Sequence, residues 1–285
     1  MASYLIADSG STKTDWCLLR KGKKNVYFKT EGINPYLQSR EHIQNTLENE
    51  LPWNKAIYPL DAIYYFGAGA STKEKQAFLA NILKQHFSTK KAEVQGDMMA
   101  AAKALCGKQK GIVCILGTGS AACYYDGQKI KKQLPSLGYI AGDEGSGNYM
   151  GKKILQHYAY DVFDSTLKTC FEKYFGSNIS LIINKLYHES FPNRYLATFV
   201  QLLKDNRGHY IVENIIEDCL SDFLQYHVLQ YPESRKTPVF FSGSIAYEFA
   251  DTLTLLCKQY ELKIGKIEKS PIGNLIKYYK NLIKE

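Results

Sequence analysis

The sequence lacks any apolar run long enough to cross a membrane. Its longest apolar runs, such as Gly111–Leu116 and Val239–Phe241, are far shorter than the roughly 20 residues that a spanning helix needs. The opening residues, Met1–Asp8, contain no basic segment, and an acidic residue ends their apolar stretch, so we expect no signal peptide. These features favour a cytoplasmic protein with no membrane partner.

Paired cysteines are also missing. The seven cysteines are an odd number, none forms a Cys-x-x-Cys pair, and several lie inside apolar runs. This pattern is typical of buried thiols in a reducing compartment. It argues against a structural zinc site and against an iron–sulfur cluster held by this chain.

Proline is scarce, and no segment is biased enough in composition to predict disorder or a long linker. No compact basic block is present either, although the formal net charge is +8, because the lysines are spread along the chain. A solvated basic surface accounts for this distribution, so we expect no nucleic-acid partner. An anionic small molecule would fit the sign of the charge without being required by it.

Two common nucleotide-binding motifs are absent. The stretch that ends in Gly151-Lys152 resembles a Walker A motif, but Ser146 stands where that motif requires its first glycine. No Gly-x-Gly-x-x-Gly run follows a predicted strand, which excludes a Rossmann fingerprint. Any phosphate site must therefore use other turns.

The chain does contain two copies of one structural plan. Each copy opens with a strand, a turn rich in Gly, Ser and Thr, and a β-meander, and then passes to helices. The predicted strands are 4–8, 16–20, 25–30, 62–66 and 92–94 in the first copy, and 111–116, 121–125, 128–134 and 237–241 in the second. The predicted helices are 40–50, 73–86, 98–105, 246–259 and 272–283, with mainly helical sequence from 148 to 231. Such a duplication predicts two similar α/β lobes with a cleft between them.

The first Gly/Ser/Thr-rich turn, Ser9–Thr14, follows Asp8 at a predicted strand end. Small residues there allow backbone N–H groups to face a phosphate chain, and Ser and Thr hydroxyls can donate to phosphate oxygens. The Asp8 carboxylate could hold Mg²⁺ through water. The alternative is an ordinary β-hairpin built from turn-favouring residues. The second turn, Gly117–Ser120, has the same chemistry at the equivalent place, and two such turns could hold one phosphate chain from both sides.

Acidic residues supply the other candidates. Asp97 stands between a predicted strand and a helix, where its carboxylate could take a proton from a substrate hydroxyl or could cap the helix. The glycine-rich segment 138–147 contains Asp143 and Glu144, either of which could accept hydrogen bonds from a sugar. The alternative for this segment is a helix-initiating loop with acids near the helix N-terminus.

These turns, in this order, resemble those of the BadF-type ATPase family, and within it those of the N-acetylglucosamine kinases. The matching segments are Asp8–Thr14, Gly32-Ile33-Asn34, Asp97 with its helix, Gly117–Ser120, Gly142–Ser146 and Ser242-Gly243-Ser244. The resemblance implies the α/β fold of the actin/hexokinase/Hsp70 superfamily, with two ribonuclease H-like lobes built from duplicated βββαβα units around an interlobe cleft. We expect the lobes at 1–105, with the C-terminal helix 271–285 as a candidate addition, and at 106–270.

The resemblance further implies a kinase that uses ATP and Mg²⁺ to phosphorylate an amino sugar, with N-acetylglucosamine and its 6-hydroxyl favoured. Asp97 would be the general base, Asn34 and Asp143 would hydrogen-bond the sugar, and Leu137 and Gly138 would line its pocket. Asp8 would hold Mg²⁺ through water. The expected ATP-binding residues are Gly10, Ser11, Thr12, Lys13, Gly117, Thr118, Gly119 and Ser120 at the phosphates, and Gly243 and Ser244 beside the adenosine.

Two departures from the family pattern leave alternatives open. The first phosphate turn is richer in Ser and poorer in Gly than is usual, and Leu137 replaces an aromatic residue that would touch the sugar. Glucosamine and N-acetylmuramic acid therefore stay open as substrates. An activator ATPase of the same family would need cluster-binding cysteines, and a non-catalytic sugar sensor or actin-like assembly protein would not need Asp97. A homodimer is compatible with these observations.

Overall fold

The computed structural model describes residues 3–10, 12–52 and 60–284. The chain divides into two compact units, Met1–Lys108 with Ser270–Glu285, and Gln109–Lys269. Each unit contains one five-stranded sheet. The described ranges contain no helix with both the length and the apolar character needed to cross a lipid bilayer.

The sheet of the first unit has two antiparallel and two parallel strand pairings. Its strands are β1 (Ser3–Ser9), β2 (Lys13–Arg20), β3 (Val26–Glu31), β4 (Ala62–Gly67) and β5 (Ala92–Gly96). The order is β3-β2-β1-β4-β5, with β1 antiparallel to β2 and parallel to β4. Ser9, Gly67 and Gly96 lie in register where the three parallel strands end. Asp8 therefore lies one residue before the level at which these strands end, and Asp97 lies one residue after it. We call this end of the sheet its carboxyl edge.

Three helices of the first unit follow its strands, namely α1 (Arg40–Glu50), α2 (Lys73–Phe87) and α3 (Asp97–Cys106). Alternation along the strands divides their apolar side chains between the two faces of the sheet. Leu5 and Trp16 are buried in the core that includes residues of α1 and α2. Ile6 and Cys17 are buried on the opposite face. Burial on both faces explains why β1 reads as an almost continuous apolar run.

The second unit repeats this sheet. Its strands are β6 (Gly111–Leu116), β7 (Ser120–Tyr125), β8 (Ile130–Gln133), β9 (Val239–Ser242) and β10 (Ile264–Glu268). The order is β10-β9-β6-β7-β8, with β6 antiparallel to β7 and parallel to β9. This is the strand order of the first sheet, so the prediction of a duplicated α/β fold is confirmed.

Helices make up most of the second unit. They are α4 (Gly138–Ala141), α5 (Gly147–Ala159), α6 (Ser165–Phe175), α7 (Ile179–His188), α8 (Pro192–Thr198), α9 (Val200–Asp205), α10 (Tyr210–Phe223), α11 (Ser244–Glu248) and α12 (Ala250–Gln259). A π-helical turn, Leu224–Val228, continues α10, and a 3₁₀ turn covers Pro232–Arg235. One apolar core joins β6 and β9 to these helices.

The C-terminal helix, α13 (Ile272–Lys284), belongs to the first unit. Leu275 and Tyr279 are buried with Ile6 and Cys17, and the Tyr279 ring stacks on Tyr64 with 4.3 Å between the ring centroids. This helix therefore covers the sheet face opposite α1 and α2.

Three local expectations were wrong. The first turn is shorter than Ser9–Thr14, because Lys13 already begins β2 and Thr14 pairs with Ser9 across the ladder. The predicted helix 246–259 is two helices, with Phe249 lying between α11 and α12. Strand β10 was not predicted, since Gly265 and Lys266 interrupt its apolar pattern.

We expect Gly151→Ala to destabilise the fold. A methyl group at Gly151 in α5 would collide with the backbone carbonyl of Leu196 in α8. Overpacking of this kind costs about 1–3 kcal/mol. Gly273→Ala is the matched control, because Gly273 lies in α13 with no neighbouring atom near the added methyl group. That substitution should be neutral or should stabilise by up to about 1 kcal/mol. Thermal unfolding of both variants checks this, and equal midpoints would contradict the α5–α8 packing.

Candidate functional site

Two carboxylates, Asp8 and Asp97, lie at the carboxyl edge of the first sheet. Asp8 is the penultimate residue of β1, and Asp97 begins α3 directly after β5. Asp97 Oδ1 accepts a hydrogen bond from the N–H of Met98, at 2.9 Å. The N-cap position of α3 is occupied by Gly96, so the alternative that Asp97 is the helix cap was wrong.

Burial raises the pKa of both carboxyl groups. For Asp97, loss of hydration raises the pKa above its ordinary value, against the hydrogen bond from Met98. For Asp8, loss of hydration and then the charges of Asp97 and Asp15 raise the pKa to about 7. Lys13 Nζ is 2.6 Å from Asp15 Oδ2, and the hydroxyl of Ser270 donates to Asp8 Oδ2 at 3.3 Å. This edge therefore holds more carboxylate charge than the neighbouring lysine neutralises.

The residues at this edge fit Mg²⁺ held largely by water and phosphate. Within the described ranges, no group of three or more His, Cys, Asp or Glu residues could enclose a metal ion. Mg²⁺ usually takes one or two carboxylates, several waters and substrate phosphates. A partly buried Asp8 with an excess of negative charge around it suits that arrangement, and its role toward Mg²⁺ stays a prediction.

The loop Gly32-Ile33-Asn34 is tied to the first turn by hydroxyl groups. Ser9 Oγ accepts a hydrogen bond from the N–H of Ile33 at 3.0 Å and lies 2.7 Å from Thr14 Oγ1. Tyr65 donates its hydroxyl to the carbonyl of Ile33 at 3.1 Å. The expectation that the Ser9 and Thr14 hydroxyls face a phosphate was therefore wrong, because these buried groups hold the loop in place.

Asn34 is oriented by its own turn. Its Oδ1 accepts a hydrogen bond from the N–H of Tyr36 at 2.9 Å, and its N–H donates to Gln38 Oε1 at 2.6 Å. Gly69, with φ of +76°, lies against this amide, and a Cβ atom there would collide with Asn34 Oδ1. Gly69 is thus a supporting residue whose role the sequence did not indicate, although it follows a strand in a Gly-Ala-Gly run.

The first turn is only partly described. Gly10 donates its N–H to the carbonyl of Lys13 at 2.9 Å, which closes the turn. Thr12 is exposed at the turn, and its carbonyl accepts the N–H of Gly32 at 3.1 Å. The Lys13 ammonium group forms an ion pair with the Asp15 carboxylate. Ser11 lies outside the described residues.

The second turn is held by the start of α5. The N–H of Gly147 donates to the carbonyl of Gly117 at 2.8 Å. Asn148 donates both its backbone N–H and its side-chain Nδ2 to the carbonyl of Thr118, at 3.0 and 2.6 Å. Asn148 is completely buried, so this turn is fixed from within the unit.

Asp143 lies against the same turn. Its Oδ2 accepts from Asn148 Nδ2 at 2.7 Å, and its Oδ1 accepts from the N–H of Ser120 at 3.4 Å. A Cβ atom at Gly119 would approach Asp143 Oδ2 to 2.9 Å, so a side chain there would force the Asp143 carboxylate to shift. Burial raises the pKa of Asp143, which these hydrogen bonds oppose. The sequence did not indicate that Asn148 joins Asp143 to the turn, because an Asn near a helix start is usually a solvent-facing cap.

Glu144 and Leu137 have different surroundings. Glu144 Oε2 lies 2.8 Å from His227 Nε2, and the His227 ring stacks on Phe223. The Glu144 carboxylate is thus already engaged, while Leu137, beside Gly138 at the start of α4, is 65% exposed. Lys152 donates from Nζ to the carbonyl of Tyr139 at 2.8 Å and so joins α4 to α5.

Ser244, which begins α11 directly after Gly243, lines a cavity of about 540 Å³ inside the second unit. Gly243 has φ of +124°, and a Cβ atom there would collide with the carbonyl of Leu116 at the end of β6. The lining residues are Tyr174, Phe175, Ala197, Thr198, Val200, Gln201, Lys204, Ser244, Ile245, Glu248 and Lys269. The volume and the mixture of apolar and polar walls suit a small organic ligand.

We expect the metal-free protein to lose stability, relative to Asp8→Asn, as the pH rises from about 4 to 7. Folded Asp8 keeps its proton up to about pH 7, whereas the unfolded residue loses it near its ordinary value of 3.8. Raising the pH through this window deprotonates only the unfolded state, which favours unfolding by up to about 1.4 kcal/mol for each pH unit.

Thermal midpoints measured in EDTA across pH 4 to 8 check this expectation. The control is Asp126→Asn, because hydrogen bonds from the backbone N–H groups of Lys129 and Gln128 hold the pKa of Asp126 below its usual range. The midpoint of that variant should follow the wild type above pH 5. A constant difference between wild type and Asp8→Asn would show that Asp8 titrates normally.

Comparison with protein-family models finds no match, and comparison with curated proteins finds none either. Solved structures do match. A proposed N-acetylglucosamine kinase from Porphyromonas gingivalis is 38% identical, with a TM-score of 0.91 and 99% of each chain covered. A proposed N-acetylglucosamine kinase from Chromobacterium violaceum is 16% identical, with a TM-score of 0.74, covering 98% of this chain and 99% of that one. A ROK family glucokinase from Streptomyces griseus, in complex with glucose and AMPPNP, is 13% identical, with a TM-score of 0.56 and 96% of each chain covered.

The second and third of these structures support the fold alone. The Porphyromonas protein supports more, because 38% identity extends over nearly the whole of both chains. The resemblance expected from the turns is therefore confirmed, and this chain belongs to the N-acetylglucosamine kinase-like proteins.

Proposed function

We propose that this protein is an ATP-dependent kinase that phosphorylates an amino sugar, with the 6-hydroxyl of N-acetylglucosamine as acceptor. The observation that carries the proposal is Asp97, a partly buried carboxylate at the end of β5 that no helix cap requires. Family membership supports the reaction class, and the glucose and AMPPNP bound to the Streptomyces glucokinase support the two substrates.

Asp97 would act as the general base. As the sugar oxygen attacks the γ-phosphorus of ATP, its proton would pass to Asp97, and ADP would leave. A base works best when its pKa lies near the working pH, and burial moves the pKa of Asp97 upward in that direction. The hydrogen bond from Met98 fixes one carboxylate oxygen, so that the other can face the acceptor.

The first turn and Asp8 would receive the phosphate chain. Backbone N–H groups between Gly10 and Lys13 would donate to phosphate oxygens. Bound Mg²⁺ neutralises the charge of the β- and γ-phosphates. Asp8 would hold that ion through water, with its orientation supported by the Ser270 hydroxyl.

The second unit carries further residues expected to bind ATP. The Gly117–Ser120 turn would donate N–H groups to phosphates, and the cavity beside Ser244 would take the adenosine. Asp143, held by Asn148, would accept hydrogen bonds from the sugar, and Leu137 with Gly138 would line the sugar pocket. In the first unit, the Asn34 amide would donate to the sugar.

Asp97→Asn should lower kcat by about 10² to 10⁴, the range typical for removal of a positioned base. The measurement is ADP release with Mg·ATP and a panel of amino sugars. Binding of ATP to the variant, measured by titration calorimetry, should stay within a few-fold of wild type. Undiminished turnover would place the base elsewhere. Sugar binding without turnover in the wild type would instead support a sensor.

Leu137→Tyr should change the KM for the sugar several-fold and leave the KM for ATP unchanged. An added aromatic ring would contact the sugar only if Leu137 lines its pocket. Ile140→Tyr is the matched control, because Ile140 lies in the same short helix and is 79% exposed. The comparison should include N-acetylglucosamine, glucosamine and N-acetylmuramic acid. Equal effects of both variants would remove Leu137 from the pocket, and a preference for another sugar would correct the substrate.

A further inference from the structure

The cavity beside Ser244 has an apolar wall and a polar wall. Phe175, Val200 and Ile245 contribute apolar side chains, whereas Gln201 and Glu248 contribute polar ones. The inference below rests on the proposed function, in which this cavity takes the adenosine of ATP. An apolar wall suits the face of a purine ring, and a polar group at its edge can distinguish one purine from another.

The orientation of the Gln201 amide is fixed by Asp205. In α9, Gln201 Nε2 lies 2.8 and 2.7 Å from the two carboxylate oxygens of Asp205. The hydroxyl of Tyr174 donates to Asp205 Oδ2 at 2.8 Å. These hydrogen bonds hold the pKa of Asp205 below its usual range, so the group is ionised at neutral pH. An ionised carboxylate only accepts hydrogen bonds, and therefore the NH₂ end of the amide must face it.

This orientation leaves the carbonyl end of the amide, Oε1, as the atom that Gln201 can offer to a ligand. A carbonyl oxygen accepts hydrogen bonds and cannot donate them. Adenine carries an amino group at C6, which donates, whereas guanine and hypoxanthine carry a carbonyl there, which accepts. An acceptor in the wall therefore favours adenine, because two carbonyl oxygens repel each other and each is left without a donor.

We propose that Gln201 selects adenine nucleotides by accepting a hydrogen bond from the 6-amino group, and that Asp205 is a positioning residue that fixes the Gln201 amide. Another acceptor in the cavity wall is Glu248, whose carboxylate lies 3.5 Å from Lys204 Nζ. Because Glu248 is paired with a cation, we assign the selection to Gln201. The variant Glu248→Gln tests the alternative that Glu248 makes the selection.

The test compares kcat/KM for ATP and ITP, since the amino group at C6 of ATP is a carbonyl group in ITP, whose N1 also carries a proton. The wild type should prefer ATP by about tenfold, the factor expected for one hydrogen bond. Gln201→Met should reduce this preference to within about twofold by lowering the value for ATP. Asp205→Asn should reduce it by raising the value for ITP, because the amide introduced in place of the carboxylate can donate to Oε1 and the Gln201 amide can then rotate.

Matched controls separate selection from general damage. Gln225→Met alters another exposed glutamine of the second unit, which donates to Tyr260 and does not line the cavity. It should leave the preference unchanged. An unchanged preference in both Gln201→Met and Asp205→Asn would overturn the inference, as would a loss of preference in Glu248→Gln alone.

Thr198→Trp tests the site itself. Thr198 lines the cavity and is exposed, so a large side chain there should block the cavity while the protein still folds, which thermal unfolding checks. The KM for ATP should rise about tenfold or more if the adenosine binds there. An unchanged KM would mean that the adenosine assignment in the proposed function is wrong. A raised KM without any shift of preference in Gln201→Met and Asp205→Asn would overturn only the selection by Gln201.

Discussion

The candidate site of the first unit depends on two carboxyl groups that are shielded from water where the parallel strands end. Asp8 and Asp97 flank the level at which β1, β4 and β5 end together. Removing a carboxylate from water is costly unless hydrogen bonds or opposite charges compensate it. Here the compensation comes from the Ser270 hydroxyl and the Lys13 charge on Asp8 and from backbone N–H groups on Asp97, and burial still raises both pKa values. The edge is therefore suited to receive a cation and a proton, the two charges that phosphoryl transfer to a hydroxyl involves.

The second unit has the same strand order but different residues where its central strand ends. At the end of β6 it presents a turn of small residues, and the acid beside this turn, Asp143, comes from a loop. The side chain of Asn148 joins that loop to the turn from a fully buried position. The first copy of the repeat thus places two carboxyl groups where its parallel strands end, whereas the second places there a turn that a buried amide holds.

Much of this fold follows from the sequence, because the strands and helices are short, strongly patterned and separated by clear turns. Helix α1 begins and ends where the apolar spacing indicates, and the strands predicted at 4–8 and 92–94 lie within β1 and β5. Position made Asp97 a candidate, since a polar residue directly after a buried parallel strand lies at the edge where sites form.

Contacts between distant parts of the chain could not be predicted in this way. Ser9 and Thr14 have the composition of a phosphate turn, yet their hydroxyls bind the loop at Ile33 and Glu31. The contact of Gly69 with Asn34 and the pairing of His227 with Glu144 likewise join segments far apart in sequence. Local patterns specify which elements form, whereas these hydrogen bonds depend on how the elements pack.

The return of α13 to the first unit has a consequence for how that unit folds. The second unit is built from one uninterrupted segment of the chain. The first unit is not, because Ile6, Cys17 and Phe66 are covered by a helix that follows the whole second unit in the sequence. Bringing this helix back to the sheet closes a long loop, and contacts between segments so far apart in sequence form slowly. The apolar sheet face therefore stays exposed until α13 docks, and it is the surface on which a chaperone would act.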